Sequence, residues 1–179
     1  MFIGKKVILR SLELSDLDYI VKHDNNLDLR HNLGTAVPCS RQDSENWIRE
    51  SWEKRKIGER FVFAFTNKET SEFIGVVNLY IINKTSKSAA LGIWIYEEKN
   101  KSKGYGTDAM ELILDFGFNY INLNRIELSV YPHNLRAIKL YEKIGFVKVA
   151  NLRQSRYMNG KYIDEIIMDI LRDDWVQTK

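Results

Sequence analysis

The chain is poor in residues that constrain a fold covalently or conformationally. It has one cysteine, Cys39, in 179 residues. No intrachain disulfide can form, so a reducing compartment is expected. Pro38 and Pro132 are the only prolines, which leaves no proline-rich linker. No run approaches the roughly 18 apolar residues of a membrane span. The N-terminal stretch reaches Lys5 and Lys6 before a signal-peptide core can build up. These absences lead to the expectation of a cytoplasmic protein with no membrane partner. Charge of one sign is also lacking: 27 Lys and Arg against 24 Asp and Glu leave +3, with the signs interleaved. That balance and the want of a basic stripe argue against a nucleic-acid partner. No repeat or low-complexity segment occurs. With 44% hydrophobic residues the chain can build one core, so residues 1–179 are read as a single domain.

Periodicity and turn chemistry then divide the chain. Val7 to Arg10 reads as a strand. Ser15 with Asp18 resembles a capping box and opens a helix through about Lys22. Asp24 to Pro38 is polar and aperiodic, a connection long enough to be functional. Ser40 and Asp43 repeat the cap, and Trp47, Ile48 and Trp52 continue at helical spacing to Lys56. Arg60 to Asn67, Phe73 to Asn83 and Ala89 to Tyr96 read as a meander of strands. A helix follows from Thr107 to Tyr120, with Ala109, Ile113, Phe116 and Tyr120 along one face. Arg125 to Val130 is a strand, and Asn134 to Ile144 a helix closed by Gly145. Phe146 to Arg153 and Lys161 to Leu171 are strands, with Asn159-Gly160 between them suited to a type I′ turn. The order β-α-α-β-β-β-α-β-α-β-β is that of a mixed α/β (α+β) fold, with helices on the faces of a mixed sheet.

Lys101-Ser102-Lys103-Gly104-Tyr105-Gly106-Thr107 lies between a strand-like run and a helical one. Such a loop turns backbone N–H groups toward one point at a helix N-terminus, where the dipole favours phosphate. Gly104 to Ala109 also satisfies the dinucleotide pattern, with Glu127 near the offset of a ribose-binding acid. Context argues against that tenant. Three meander strands precede the loop, one helix follows, and Glu127 falls in mid-strand. An ATP-type loop is excluded, because no Gly-Lys-Ser/Thr follows a Gly five residues earlier. Taken alone, the loop reads equally well as a tight turn with solvated lysines.

A second constellation runs from Val130-Tyr131-Pro132-His133-Asn134 to Tyr141-Glu142-Lys143-Ile144-Gly145-Phe146. Asn134 can cap its helix, and Tyr141, two turns on, can be a core tyrosine. The pairing of Lys101-x-x-Gly104-Tyr105-Gly106 with Asn134 and Tyr141 to Phe146 resembles the GNAT superfamily of acetyl-CoA-dependent N-acyltransferases. Val7 to Asp16 looks like that family's opening strand and helix. Gly160 to Asp164, Met168 to Leu171 and Trp175 look like the end of the branch with ribosomal-protein N-terminal acetyltransferases and spermidine acetyltransferases. The resemblance implies a mostly antiparallel mixed sheet of about seven strands flanked by about four helices. The loop departs from the family pattern at Lys101, usually Arg or Gln, and at Ser102, often Gly. Lys keeps the charge but loses the bidentate fork, so a weaker or shifted coenzyme affinity is expected.

Acetyl transfer needs a neutral amine, a donor for the oxyanion and a proton for the departing thiolate. The resemblance implies acetyl-CoA as co-substrate and no metal. It assigns Ile93, Trp94 and Ile95 to the acetyl and pantetheine groups. Lys101, Ser102, Lys103, Gly104, Tyr105, Gly106 and Thr107 would hold the pyrophosphate. Asn134 would meet the pantetheine arm, and Tyr141 would protonate the sulfur. No motif marks the base. Glu97 and Glu98 lie near the loop, and of His23, His31 and His133 the best placed is His31, in the long connection. Cys39 as an acyl carrier is the weaker route, since the family transfers directly. Asn25 to Arg41 and Arg153 to Lys161 are expected to border the acceptor. There Arg30, Arg41, Arg153, Arg156 and Lys161 stand against Asp28. That balance favours a protein or peptide N-terminal amine, or a small acceptor with a carboxylate, over spermidine. A polyamine acetyltransferase, a non-catalytic CoA-binding module and a nicotinamide-dependent oxidoreductase remain alternatives, and the oligomeric state, homodimer included, is open.

Overall fold

One line of strand pairing runs through the computed structural model, which describes residues 1–32 and 37–177. The strands are β1 (Phe2–Ile3), β2 (Val7–Ser11), β3 (Arg60–Asn67), β4 (Phe73–Asn83), β5 (Ser88–Ile95), β6 (Arg125–Val130), β7 (Val147–Met158) and β8 (Lys161–Leu171). Their spatial order is β1-β2-β3-β4-β5-β6-β8-β7. Every neighbouring pair is antiparallel except β5 with β6, which is parallel. The helices are α1 (Leu17–Asp24), α2 (Leu27–Asn32), α3 (Arg41–Lys56), α4 (Tyr105–Asp115), α5 (Leu135–Ile144) and α6 (Arg172–Gln177). None described is long and apolar enough to cross a membrane.

Alternation along the strands gives the sheet two apolar faces. Val7, Leu9, Phe65, Val77 and Leu91 pack with Ala109 and Ile113 of α4 and Tyr141 and Ile144 of α5. Leu12, Val62, Ala64, Val76 and Tyr96 pack with Ile20 of α1 and Ile48 of α3. On β5 this parity turns Ile93 and Ile95 toward α4 and α5, and Trp94 and Tyr96 toward α1 and α3.

The expected elements form, α6 is added after the last strand, and four further differences appear. First, α1 is not capped by Ser15 and Asp18. A 3-10 turn, Leu14–Asp16, precedes it; Asp16 accepts from the Glu13 N–H at 2.9 Å and pairs with Arg10 at 2.6 Å. Asp18 instead pairs with Arg41. Second, α2 occupies what reads as loop. The Asn26 side chain accepts from the Leu29 N–H at 3.1 Å, and Leu29 is the buried apolar residue of so short a helix, too little for periodicity to show. Third, α4 ends in a π turn, Phe116–Tyr120. The wider turn rotates the phase, so Tyr120 is 65% exposed rather than on the buried face. Fourth, β7 runs on to Met158 as an edge strand exposed on both faces, and short β1 adds an eighth strand.

β5 and β6 pair only at Ser88↔Arg125, Ala89↔Ile126 and Ala90↔Glu127. Beyond these each strand stays with its other neighbour, β5 with β4 up to Gly75↔Ile95 and β6 with β8 up to Val130↔Ile166. The sheet opens between them. The loop after β5 is held from behind. The buried Asp108 carboxylate, in the first turn of α4, accepts from the N–H groups of Lys5, Lys6 and Val7 at 3.0, 2.7 and 2.8 Å. A Cβ on Gly4 would lie 2.4 Å from that carboxylate. Lys6 Nζ donates to the Lys103 carbonyl at 2.7 Å, and Asn67 Nδ2 to the Tyr105 hydroxyl at 2.9 Å. Gly104 (φ 85°) and Ser102 (φ 60°) both take left-handed backbone, which glycine adopts without the strain that serine carries.

Two stability measurements check this. Asp108→Asn sets amide N–H groups against backbone donors and should cost about 2–4 kcal/mol in urea unfolding. Ser102→Gly relieves the left-handed serine while loosening the unfolded chain, so a net gain of up to about 1 kcal/mol is expected.

Candidate functional site

A cleft of about 900 Å³ opens where β5 and β6 part. Ile93, Trp94 and Ile95 form one wall. Asn134, Ala137, Leu140 and Tyr141 form the other, Lys101, Ser102, Gly104, Gly106 and Thr107 one end, and Leu29 with Met158, Asn159, Lys161 and Ile163 the far end. Past Ala90, the β5 edge has no sheet partner on the β6 side. It therefore offers alternating N–H and C=O groups to an extended, amide-bearing ligand. At the loop end, the first-turn N–H groups of α4 have no intrahelical partners and face the cleft mouth with the dipole behind them. A Cβ on Gly106 would meet Leu140 and Ile95 at 3.6 and 3.7 Å, ordinary contact, so alanine fits there.

All the residues assigned from sequence line this cleft except Lys103 and Tyr105. Those two face a second basin, about 700 Å³, on the rear of the loop with Lys5, Lys6, Asn67 and Lys68. Ser102 and Gly104 border both. Asn134 acts as a cap, its side chain accepting from the Ala137 N–H at 3.2 Å, and left-handed Gly145 closes α5. Between these stops α5 turns Tyr141 inward. The residue is 8% exposed, and burial alone pushes its phenol up to about 12.

Charge is concentrated at the mouth. Glu98 pairs with Lys101 at 2.7 Å and with Arg136 at 2.9 Å. Their hydrogen bonds, that of Lys101 first, hold the Glu98 carboxyl below its usual range. These exposed pairs are weak and exchangeable, so both cations can turn to an incoming anion. Arg136 was not among the sequence candidates. Its place two residues after Asn134, in the first turn of the same helix, was the available signal.

The acceptor-side expectations are met in part. Leu29, Met158, Asn159 and Lys161 reach the far end of the cleft. Three of the four arginines are engaged: Arg41 pairs with Asp18 at 2.6 Å and Arg156 with Glu165 at 3.2 Å, while Arg30 is buried with its Nη1 on Cys39 Sγ at 3.1 Å; Arg153 stays exposed on β7. Among the base candidates, His133 lines the cleft, stacked on Tyr131 at 5.6 Å. Glu97 accepts from the Tyr19 hydroxyl at 2.6 Å, a bond that lowers its pKa. His23 lies in an aromatic cluster, 4.6 Å from the Tyr19 ring. The His31 side chain lies outside the described residues.

Comparison with known proteins accords with this architecture. Residues 6–147 match the family model described as an acetyltransferase (GNAT) domain. The chain is 31% identical over 176 residues to a spermidine N(1)-acetyltransferase of Vibrio cholerae, covering 97% of each. It is 27% identical over 101 residues to a putative ribosomal N-acetyltransferase of Bacillus subtilis, covering 56% of this chain and 55% of that one. The crystal structure of the Vibrio cholerae spermidine N-acetyltransferase in complex with CoA and spermine superposes with a TM-score of 0.85 at 29% identity, over 95% of this chain and 98% of that one. With its parted parallel strands, glycine loop and Asn134–Tyr141 helix, the chain belongs to the GNAT acetyltransferase family and is an N-acetyltransferase.

Proposed function

We propose that the protein moves the acetyl group of acetyl-CoA directly onto a primary amine. The acceptor would be a protein or peptide N-terminus, or a small amine whose body is neutral or anionic. The observation that carries this reading is one cleft holding the glycine loop, the open β5 edge and Tyr141 together.

Loop N–H groups, Lys101 and Arg136 would take the pyrophosphate, and the Ile93 to Ile95 edge would take the amides of the pantetheine arm. A backbone N–H on that edge would donate to the oxyanion, where a fixed donor is most effective because it needs no reorganisation. Tyr141 would serve the sulfur. With its pKa near 12, the phenol stays neutral throughout the working range. Full transfer to an ordinary thiolate, with pKa about 8.5, would run uphill by roughly 5 kcal/mol. The phenol therefore acts as a shuttle: it donates to sulfur as it receives the proton shed by the attacking nitrogen.

Acceptor chemistry follows from the lining. Among the described lining residues the carboxylate is Glu98, already tied to two cations, against Lys101, Arg136 and Lys161. A polycation would find no acidic counterpart there. A polyamine acceptor is the second reading, favoured by the Vibrio cholerae relative and its complex with CoA and spermine.

Acetyl-CoA at about 100 times its Kd should stabilise the protein by about 2.7 kcal/mol in thermal unfolding, and NAD should not. Tyr141→Phe should lower kcat about 100-fold with acetyl-CoA affinity changed less than about twofold. No shift with acetyl-CoA would end the reading. In a CoA-release assay over N-terminal peptides, amino acids and spermidine, kcat/KM should be higher for acceptors without extra positive charge. A preference for spermidine would transfer the assignment to polyamines.

A further inference from the structure

The basin of about 700 Å³ behind the glycine loop is bordered by Lys5, Lys6, Lys68 and Lys103, with Glu69 as the carboxylate of its lining. The lysines come from three segments: the turn before β2, the turn after β3 and the loop itself. Among the described residues none of the four forms an ion pair, whereas Lys99 and Lys101 both do. Like charges gathered around a hollow repel one another, so a fold that holds them there calls for a counter-ion.

The cluster is held in shape. Asp108 accepts from the backbone N–H groups of Lys5 and Lys6 at 3.0 and 2.7 Å, so its oxygens serve the main chain and not an ammonium. Lys6 Nζ donates to the Lys103 carbonyl at 2.7 Å, and Lys68 Nζ to the Gly4 carbonyl at 3.1 Å. A carbonyl positions an ammonium without neutralising it, and each ammonium keeps two further donors. The Tyr105 hydroxyl accepts from Asn67 Nδ2 at 2.9 Å, which leaves its own hydrogen for a ligand.

We propose that this basin binds a phosphate monoester, with Lys5, Lys6, Lys68, Lys103 and Tyr105 as its donors. Such a group carries nearly two negative charges at neutral pH and presents three acceptor oxygens, which suits point donors converging from several directions. A carboxylate, with one charge and two oxygens, would leave most of the cluster unanswered. Ser102 and Gly104 border both the basin and the cleft, so the two hollows meet along the loop. That adjacency gives one source for the group. Coenzyme A carries a 3′-phosphate on the ribose next to its pyrophosphate. With the pyrophosphate on the cleft side of the loop, the 3′-phosphate would pass over Ser102 into the basin. This source rests on the acetyl-transfer reading. A free phosphorylated small molecule is the other source, and would make the basin a site separate from the coenzyme.

Lys5→Gln with Lys68→Gln removes two cations at exposed positions and should not lower the unfolding midpoint of the free protein. In calorimetry the wild-type protein should bind acetyl-CoA about tenfold or more tightly than acetyl-dephospho-CoA, which lacks the 3′-phosphate. The double variant should bind the two within about threefold. That result gives the basin to the coenzyme. With the free source, inorganic phosphate instead raises the melting temperature of the wild-type protein saturated with acetyl-CoA, and does not raise that of the double variant. Lys22→Gln with Lys148→Gln removes the same charge from α1 and β7 and should behave as wild type in both arms. The proposal is overturned if the basin variant matches the wild type in both arms, or if the Lys22 and Lys148 variant shows the same losses. If the wild-type protein binds no acetyl-CoA, the acetyl-transfer reading fails, and the phosphate arm, run without coenzyme, decides the basin alone.

Discussion

The functional geometry depends on one interruption. β5 and β6 lie parallel and pair at three positions, then part because each is held by its antiparallel neighbour on the far side. A sheet rarely leaves a central edge unpaired, since the exposed N–H and C=O groups need partners. Here the gap becomes a cleft whose wall is made of strand backbone. The parity of β5 then gives the cleft two sides, with Ile93 and Ile95 toward α4 and α5, and Trp94 and Tyr96 toward α1 and α3.

The loop at the end of that strand is rigid for reasons remote in sequence. Asp108 binds three N–H groups of the N-terminal segment, Lys6 reaches over to the Lys103 carbonyl, and Asn67 holds Tyr105. A phosphate site made of backbone N–H groups works best when it is already shaped, because ordering a loop upon binding would cost affinity. Lys101 also has a structural partner in Glu98, shared with Arg136. Its departure from the family pattern is thus part of a small ion-pair bridge across the mouth.

Local chemistry made much of this legible from sequence. Ser40 with Asp43, Asn134 with Gly145, and Asn159-Gly160 each fix an element boundary through bonds or φ values made within a few residues, and all three stand in the structure. Elements with little local signal were hidden: α2 rests on Asn26 and one buried leucine, and the outer half of β7 is polar because both its faces are exposed. The acceptor surface misled for a different reason. Arg41 and Arg156 look cationic in sequence, but Asp18 and Glu165 meet them only after folding. The packing of His23 on Tyr19 and Tyr96 has no sequence spacing to reveal it, since α1 and β5 meet only in the packed core.

Amide hydrogen exchange with and without acetyl-CoA tests the central claim most directly. If the parted strands hold the coenzyme, protection should rise in two stretches, the β5 edge around Ile93 to Ile95 and the loop from Lys101 to Thr107, and should be unchanged along the exposed edge of β7. Unchanged exchange at Ile93 to Ile95 at saturating acetyl-CoA, or protection confined to the rear basin around Lys5 and Lys68, would contradict it.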